Sequence, residues 1–252
     1  PLYWGGAVSL ASRFAEAEFL RACEEECVTD VSLVPVQVRR ILDDPGFSPT
    51  RIASLRVTLI TGSPLDIATK QRLAAAWPGF VLDAYGTTET GGIATLDIKG
   101  NPDRLDSVGK VLGGVDCVIL GDDGRPLPPG ETGEIAAASD VAMEGYYNRD
   151  DLTGAAIGSE RGGRRYIRTG DVGRLDADGF LFVTGRSKDM IISGGTNVFA
   201  VDIEAALAAH PDVAEAAAIA VPDDRWGETP HAFIVPAPGA SPTAGDLIAW
   251  SP

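Results

Sequence analysis

Histidine is nearly absent from this 252-residue sequence: only His210 and His231 occur, and neither stands at ligand spacing from a cysteine. That argues against a structural zinc site. Cysteine is equally scarce. Cys23 and Cys27 sit four apart in an acidic helical pattern, and Cys117 lies inside an apolar strand pattern. Three such residues fit reduced structural thiols of a cytoplasmic protein better than a redox or metal role. No apolar run approaches the ~20 residues that a membrane helix needs, and Pro1–Trp4 is not a charged, signal-like start. Basic residues are outnumbered, 21 Lys and Arg against 36 Asp and Glu, for a formal net charge of −15. That balance repels phosphate backbones and anionic membranes. A small anionic ligand is still compatible with it, because local N–H groups and a few arginines outweigh the mean field at short range.

What is present is a hydrophobic fraction of 44%, enough for a sizeable core in one large or two smaller domains. Phe14–Cys27 reads as an amphipathic helix, residues 31–35 ("VSLVP") as a strand and Val36–Leu42 as a second helix. "LRVTLITG" (55–62) reads as a buried strand, Leu65–Ala76 as a helix and "FVLDAY" (80–85) as a further strand. Strand, helix and strand at this spacing predict βαβ units of a parallel sheet. From about Ser107 short strands alternate with "GDDGRPLPPGETG" and "DADG" turn clusters, which predicts a small antiparallel β-subdomain with Asp178-Gly179 as a hairpin turn. After "TGRSKD" come the strand and turn "MIISGG", a helix over Val201–Ala209, and the strands "AEAAAIAV" and "HAFIV". This is the start of a small α+β domain, expected to stop before a further helix and strand close it.

Four segments carry the chemistry: "TGSPL" (61–65), "YGTTE" (85–89), "YIRTGD" (166–171) and "GRSKDMIISGGTN" (185–197). The first two follow strands, where open α/β sheets bind ligands. Hydroxyls and one carboxylate make a poor nucleophile site, but they suit a ligand with an aromatic ring, phosphates and a metal. Each segment taken singly also fits a bland role: a core tyrosine, N-cap threonines, a turn aspartate, a surface arginine.

In this order and spacing the segments resemble the adenylate-forming superfamily of acyl- and aryl-CoA synthetases, adenylation domains and luciferases. The resemblance also takes in "VGK" (108–110), "GEI" (133–135), "MEGYYNRD" (143–150) and "VPDDRWGE" (221–228). It implies an α/β protein: the end of a large N-terminal domain (1–187, with a β-subdomain at about 107–185), then an incomplete small mobile domain (188–252). Tyr85 would stack on a purine, with the backbone edge of Gly62, Ser63 and Pro64 on its other side. Asp83 falls where the adenine amino group is received, its carboxylate as acceptor, and Ala84 and Gly86 are nucleotide-binding positions of the same motif. Thr87 and Thr88 would give hydroxyl and backbone donors to a phosphate, and Glu89 a hard oxygen for Mg²⁺. Asp171 matches the aspartate that accepts both ribose hydroxyls, and Arg186 the arginine beside ribose and α-phosphate. Lys188 stands at the hinge about which the small domain rotates. Gly194 and Gly195 resemble glycines lining a pantetheine tunnel, and Trp226 an aromatic near CoA, though a partly buried core tryptophan fits it as well. Gly91, Gly92, Ile93, Val108, Gly109 and Lys110 would shape the acyl pocket.

The implied activity is that of an ATP-dependent, AMP-forming acyl- or aryl-CoA synthetase, with ATP, Mg²⁺, coenzyme A and a small carboxylic acid as ligands and with Thr88, Glu89 and Lys188 serving the reaction. A monomer or homodimer is implied, without nucleic acid. Two alternatives stand beside it: an adenylation domain loading a carrier protein, and a non-catalytic nucleotide-binding relative. The sequence departs from the pattern in four ways. It has no "SGTTG-x-PK"-type phosphate loop and no C-terminal catalytic lysine, "PLYW" directly abuts "GGAVSL", and Ala200 replaces a common proline. These departures are those of a partial or gapped chain with impaired activity.

Overall fold

A computed structural model describes residue 3, residues 5–223 and residues 225–250, without the side chains at 158, 159 and 161. Three residues of "PLYW", Asp224 of "VPDDRWGE" and Ser251-Pro252 lie outside the described residues. The chain divides into two compact units. One comprises Pro1–Cys117, Ala138–Tyr146 and Asp176–Phe182; the other comprises Val118–Ala137, Tyr147–Leu175 and Val183–Pro252. The division cuts across the expected boundary after residue 187, because much of the 107–185 segment groups with the residues that follow it.

In the first unit the elements are α1 (Glu16–Glu26), β1 (Asp30–Leu33), α2 (Pro35–Asp43), β2 (Val57–Ile60), α3 (Ile67–Ala76), β3 (Phe80–Thr87), β4 (Gly91–Asp97) and β5 (Lys110–Val111). The sheet runs β1-β2-β3-β4-β5. Its first three strands are parallel, and β4 and β5 are added antiparallel. The βαβ units are therefore as expected, with shifted ends. The first strand stops at Leu33 because Pro35 opens α2, a position that tolerates its missing N–H. Gln37 Oε1 accepts the Val34 N–H there at 3.0 Å. Helix α3 begins at Ile67 and not Leu65 because Asp66 caps it, accepting the Thr69 N–H at 2.7 Å. Leu20, Val38, Ile41, Leu73, Trp77 and Val81 fill the core between helices and sheet. Trp77 keeps its indole N–H satisfied in this apolar setting by donating to Thr58 Oγ1 at 2.8 Å.

The remaining strands form two more sheets. β6 (Asp116–Leu120), β7 (Gly133–Ala138), β8 (Ile157–Arg161), β9 (Arg164–Leu175) and β10 (Leu181–Arg186) make one in the order β10-β9-β7-β6, with β8 on β9 and α4 (Asp150–Ala156) before β8. The Asp178-Gly179 turn needs correction. Asp176 O accepts the Gly179 N–H at 3.1 Å and Phe180 O the Asp176 N–H at 3.0 Å, while Gly179 has φ +80°. That is a three-residue loop closed by a left-handed glycine, not a two-residue turn.

The small sheet comprises β11 (Met190–Ser193), β12 (Thr196–Phe199), β13 (Val213–Asp223) and β14 (Gly227–Pro236), ordered β12-β11-β14-β13, with helices α5 (Ala200–Ala208) and α6 (Ala244–Trp250). Leu207 of α5, Val213 and Leu247 of α6 form its core with Ile203, Ala216 and Ile234. Helix α6 corrects the expectation that the chain stops short of a further helix. Thr243 and Asp246 box its start, with the Thr243 N–H donating to Asp246 Oδ2 at 3.0 Å and the Asp246 N–H to Thr243 Oγ1 at 3.2 Å. Ala200 occupies the first helical position of α5, which explains why a proline also fits there. Of the thiols, Cys23 is buried and Cys117 partly so, with burial pushing Cys117 up to about 12. Cys27 is exposed at the left-handed C-cap of α1, so the structural-thiol reading does not extend to it.

Candidate functional site

The tyrosine–threonine–glutamate motif does not lie wholly past a strand, as the sequence suggests. Tyr85, Gly86 and Thr87 are the last residues of β3, and Thr88–Thr90 form the turn into β4. The ladder shifts register between Tyr85 and Gly86. A side chain at Gly86 would put its Cβ 2.2 Å from Gly91 O, so only glycine allows the strands to close there. Because β1, β2 and β3 are parallel, Gly62-Ser63-Pro64 after β2 and Tyr85 near the end of β3 lie at the same, carboxyl, end of the sheet. Gly62, with φ +99°, turns the chain away from β2, and Gly62, Ser63 and Pro64 are all exposed.

Within the turn the threonines have distinct jobs. Thr87 Oγ1 lies 3.0 Å from Thr90 Oγ1, and the Thr87 N–H donates to Thr90 Oγ1 at 3.3 Å. The Thr90 N–H donates back to Thr87 Oγ1 at 3.2 Å. Thr87 thus holds the turn, and Thr88 is the exposed one. Thr90, buried and absent from the sequence prediction, closes the same network. A threonine at each end of a tight turn was its signal. Glu89 is held twice by the segment after β7. Its carbonyl accepts the Met143 N–H at 2.7 Å, and its Oε1 accepts the Tyr146 hydroxyl at 2.8 Å. The hydrogen bond to that carboxylate raises the phenol's pKa above its usual range. Ser139 Oγ donates to Thr90 O at 2.8 Å from the same segment.

Asp83 is buried and paired. It is 5% exposed, and its Oδ2 lies 2.7 Å from Lys70 Nζ on α3. Burial pushes its carboxyl upward and the Lys70 ammonium pulls it back. Lys70 also donates to Ser107 O at 2.9 Å. The Asp83 carboxylate is thus a buried charge held by Lys70. Adjacent Ala84 is half-buried and paired with Thr95 on β4.

Gly91 and Gly92 open β4 beneath Val141 and Leu112. An added Cβ would stand 2.8 Å and 3.2 Å from those side chains. Ile93 is fully buried, Val108 half-buried, and Gly109 lies so close to Thr95 O that a Cβ would come within 2.0 Å. Lys110, exposed, has its Nζ 4.9 Å over the Phe180 ring.

The second unit carries the other predicted residues. Asp171 on β9 is 7% exposed, and its Oδ1 lies 3.2 Å from Arg186 Nε at the end of β10. Thr169 Oγ1 accepts the Asp171 N–H at 3.1 Å. Lys188 is exposed in a single 3₁₀ turn, Ser187–Asp189, between β10 and β11. Gly194 and Gly195, with φ +59° and +83°, form the two-residue turn between β11 and β12. Gly194 meets Trp226: its N–H donates to Trp226 O at 2.8 Å, and a Cβ there would stand 2.7 Å from the indole. Trp226 is 47% exposed, which sets aside the core-tryptophan reading, and the Arg225 guanidinium lies 4.5 Å from its ring. Arg225 was not foreseen. Among the described residues no group of three His, Cys, Asp or Glu side chains gathers at metal-ligand spacing.

Comparison with known proteins follows this geometry. The family model described as AMP-binding enzyme matches residues 1–147, and that of the AMP-binding enzyme C-terminal domain matches residues 202–251. Feruloyl-CoA synthase of an Amycolatopsis species is 37% identical over 247 residues, 98% of this chain and 49% of that protein. A fatty acid–[acyl-carrier-protein] ligase of Streptomyces coeruleorubidus is 34% identical over 248 residues, 96% of this chain and 47% of that protein. The solved o-succinylbenzoate CoA synthetase of Bacillus subtilis, in complex with its acyl-adenylate intermediate, superposes with a TM-score of 0.87 at 33% identity. It covers 98% of this chain and 49% of that one. The chain thus spans about half the length of the curated relatives it matches.

Proposed function

We propose, because this chain belongs to the AMP-binding enzyme family, that the full-length protein is an AMP-forming carboxylate–CoA ligase. In the first half-reaction a carboxylate oxygen attacks the α-phosphorus of ATP, and the bond to pyrophosphate breaks. In the second the CoA sulfur attacks the acyl carbon and AMP leaves. Orientation of the reactants and stabilisation of phosphate charge would supply the rate enhancement. The observation that carries this reading is the Tyr85–Glu89 hairpin at the carboxyl ends of the parallel strands, with a ring, an exposed threonine and a carboxylate side by side.

Glu89 is one hard-oxygen ligand on a turn, which suits Mg²⁺ arriving with ATP and keeping much of its water, not a resident ion. When bound, that cation neutralises phosphate charge. Asp171 takes the ribose hydroxyls, with Arg186 beside it; Tyr85 and the Gly62–Pro64 edge take the base. Gly194, Gly195 and Trp226 take the pantetheine arm and CoA. Lys188 is the hinge between bodies 1–187 and 188–252. The acid is a monocarboxylic aromatic or aliphatic one, since Gly91 and Gly92, under Val141 and Leu112, and Ile93 make an apolar wall without a cation placed there by the sequence for a second carboxylate. We further propose a cytoplasmic monomer or homodimer. The test is pyrophosphate release and thioester formation by the full-length protein with a panel of carboxylic acids. Turnover that ignores the acid added would refute the proposal, and efficient use of a dicarboxylate alone would refute the acid class.

A second reading, loading of a carrier-protein pantetheine, is favoured by the similarity to the acyl-carrier-protein ligase. Supplying free CoA and carrier pantetheine side by side separates the two.

A further inference from the structure

The segment 139–146 has a role that the nucleotide site leaves unassigned. It joins the Thr88–Thr90 turn by three bonds: Ser139 Oγ to Thr90 O at 2.8 Å, the Met143 N–H to Glu89 O at 2.7 Å, and the Tyr146 hydroxyl to Glu89 Oε1 at 2.8 Å. Two of them fix the main chain just after the Glu89 Cα, at the Glu89 and Thr90 carbonyls, and the third fixes the side chain itself. Val141 of this segment also covers Gly91, the first residue after the turn. A half-buried glutamate at a turn can still sample several rotamers, and each that points away from the phosphates lowers its worth as a ligand. One phenol on one oxygen selects among them.

We propose that Tyr146 is a positioning residue for Glu89, its hydroxyl fixing the carboxylate in the orientation that receives the cation carried by the nucleotide. The proposal rests on the reading of Glu89 as that cation's ligand. Partners that orient a metal ligand are worth on the order of ten-fold or more in metal affinity. A tyrosine is suited to the task because its rigid ring leaves few rotamers to fix. Tyr147, next in sequence and 92% exposed, is the natural control.

The experiment uses the full-length protein, Mn²⁺ as probe and a β,γ-methylene ATP analogue, with free Mn²⁺ read by electron paramagnetic resonance. Tyr146→Phe is expected to weaken Mn²⁺ binding in the nucleotide complex by about ten-fold. Metal-free analogue affinity and unfolding temperature should stay at wild-type values, and Tyr147→Phe should bind Mn²⁺ as wild type does. Added to Glu89→Gln, Tyr146→Phe should cause no further loss, because it acts through that carboxylate. If Tyr146→Phe binds Mn²⁺ as wild type does while Glu89→Gln does not, Tyr146 is no positioning residue and the reading of Glu89 stands. If Glu89→Gln itself leaves Mn²⁺ binding unchanged, the reading of Glu89 fails and the proposal with it. A Tyr146→Phe protein that loses metal-free nucleotide affinity or unfolding temperature in equal measure would show a merely structural contact, and would also overturn the proposal.

Discussion

Arg186 Nε lies 3.2 Å from Asp171 Oδ1, joining the end of β10 to the interior of neighbouring β9 through a carboxylate that is buried and a guanidinium that is exposed. Burial on one side and access on the other suit a carboxylate that is oriented before a ligand arrives. Asp171→Asn keeps the shape but halves the acceptor capacity. Charge-assisted hydrogen bonds are worth about 1.5–3 kcal/mol, so the variant should lose on the order of ten- to a hundred-fold in kcat/KM for ATP. Pyrophosphate–ATP exchange by the full-length protein measures this. A wild-type KM for ATP in Asp171→Asn would remove Asp171 from the ribose.

The Lys70–Asp83 pair behaves differently, because both members are buried. Lys70→Met leaves an unpaired carboxylate inside and should cost about 3–5 kcal/mol in urea unfolding, whereas Lys70→Met with Asp83→Leu should recover most of it. The pH dependence follows. With the ammonium gone, burial alone acts on Asp83 and raises its folded pKa further above the unfolded value. The folded state then binds the proton more tightly, so stability falls as pH rises through that interval. The Lys70→Met deficit should therefore be smallest at acid pH, where Asp83 is neutral, and grow toward neutrality. Additive losses in the double variant, or a deficit that does not vary with pH, would contradict the pairing.

These two pairs mark what was legible in the sequence. Order and spacing were enough to place Asp171 and Arg186 at one site, because an ordered set of short motifs survives divergence. The Lys70–Asp83 pairing was not legible, because the motif drew Asp83 into a ligand role and a lysine on an otherwise apolar helix face reads as a solvated charge. Only the buried face of α3, where Thr69, Lys70 and Leu73 lie together, shows where the ammonium goes. β4 and β12 escaped notice for another reason: both start directly after a tight turn, in stretches rich in glycine and threonine that read as loop. Tyr146 fell inside the "MEGYYNRD" stretch of the resemblance, but its partner, 57 positions earlier in the chain, could not be read from it.

Gly194 and Gly195 separate packing from conformation. Both have positive φ, which an alanine adopts at a cost of roughly 1 kcal/mol. Only at Gly194 does an added Cβ also meet the Trp226 ring. Gly194→Ala should therefore displace Trp226 and slow thioester formation far more than acyl-AMP formation, while Gly195→Ala should be milder. Single-turnover assays of the two half-reactions decide the matter, and equal effects of the two variants would remove the indole from the account.

Lys188 is tested through its backbone. Proline locks φ near −65° and removes the N–H. Lys188→Pro in the full-length protein should leave acyl-AMP formation largely intact and slow thioester formation by orders of magnitude. Lys188→Ala, which removes only the charge, should be mild. Equal loss in both half-reactions would make Lys188 a linker residue and not a hinge.

The central claim, attack of a carboxylate oxygen on the α-phosphorus, is tested most directly by oxygen isotopes. The full-length protein is given ATP, CoA and an acid substrate carrying ¹⁸O in both carboxylate oxygens, and the products are weighed by mass spectrometry. The account predicts one ¹⁸O in AMP, one in the thioester carbonyl and none in pyrophosphate. Label in inorganic phosphate with ADP as the nucleotide product, or AMP without label, would contradict it.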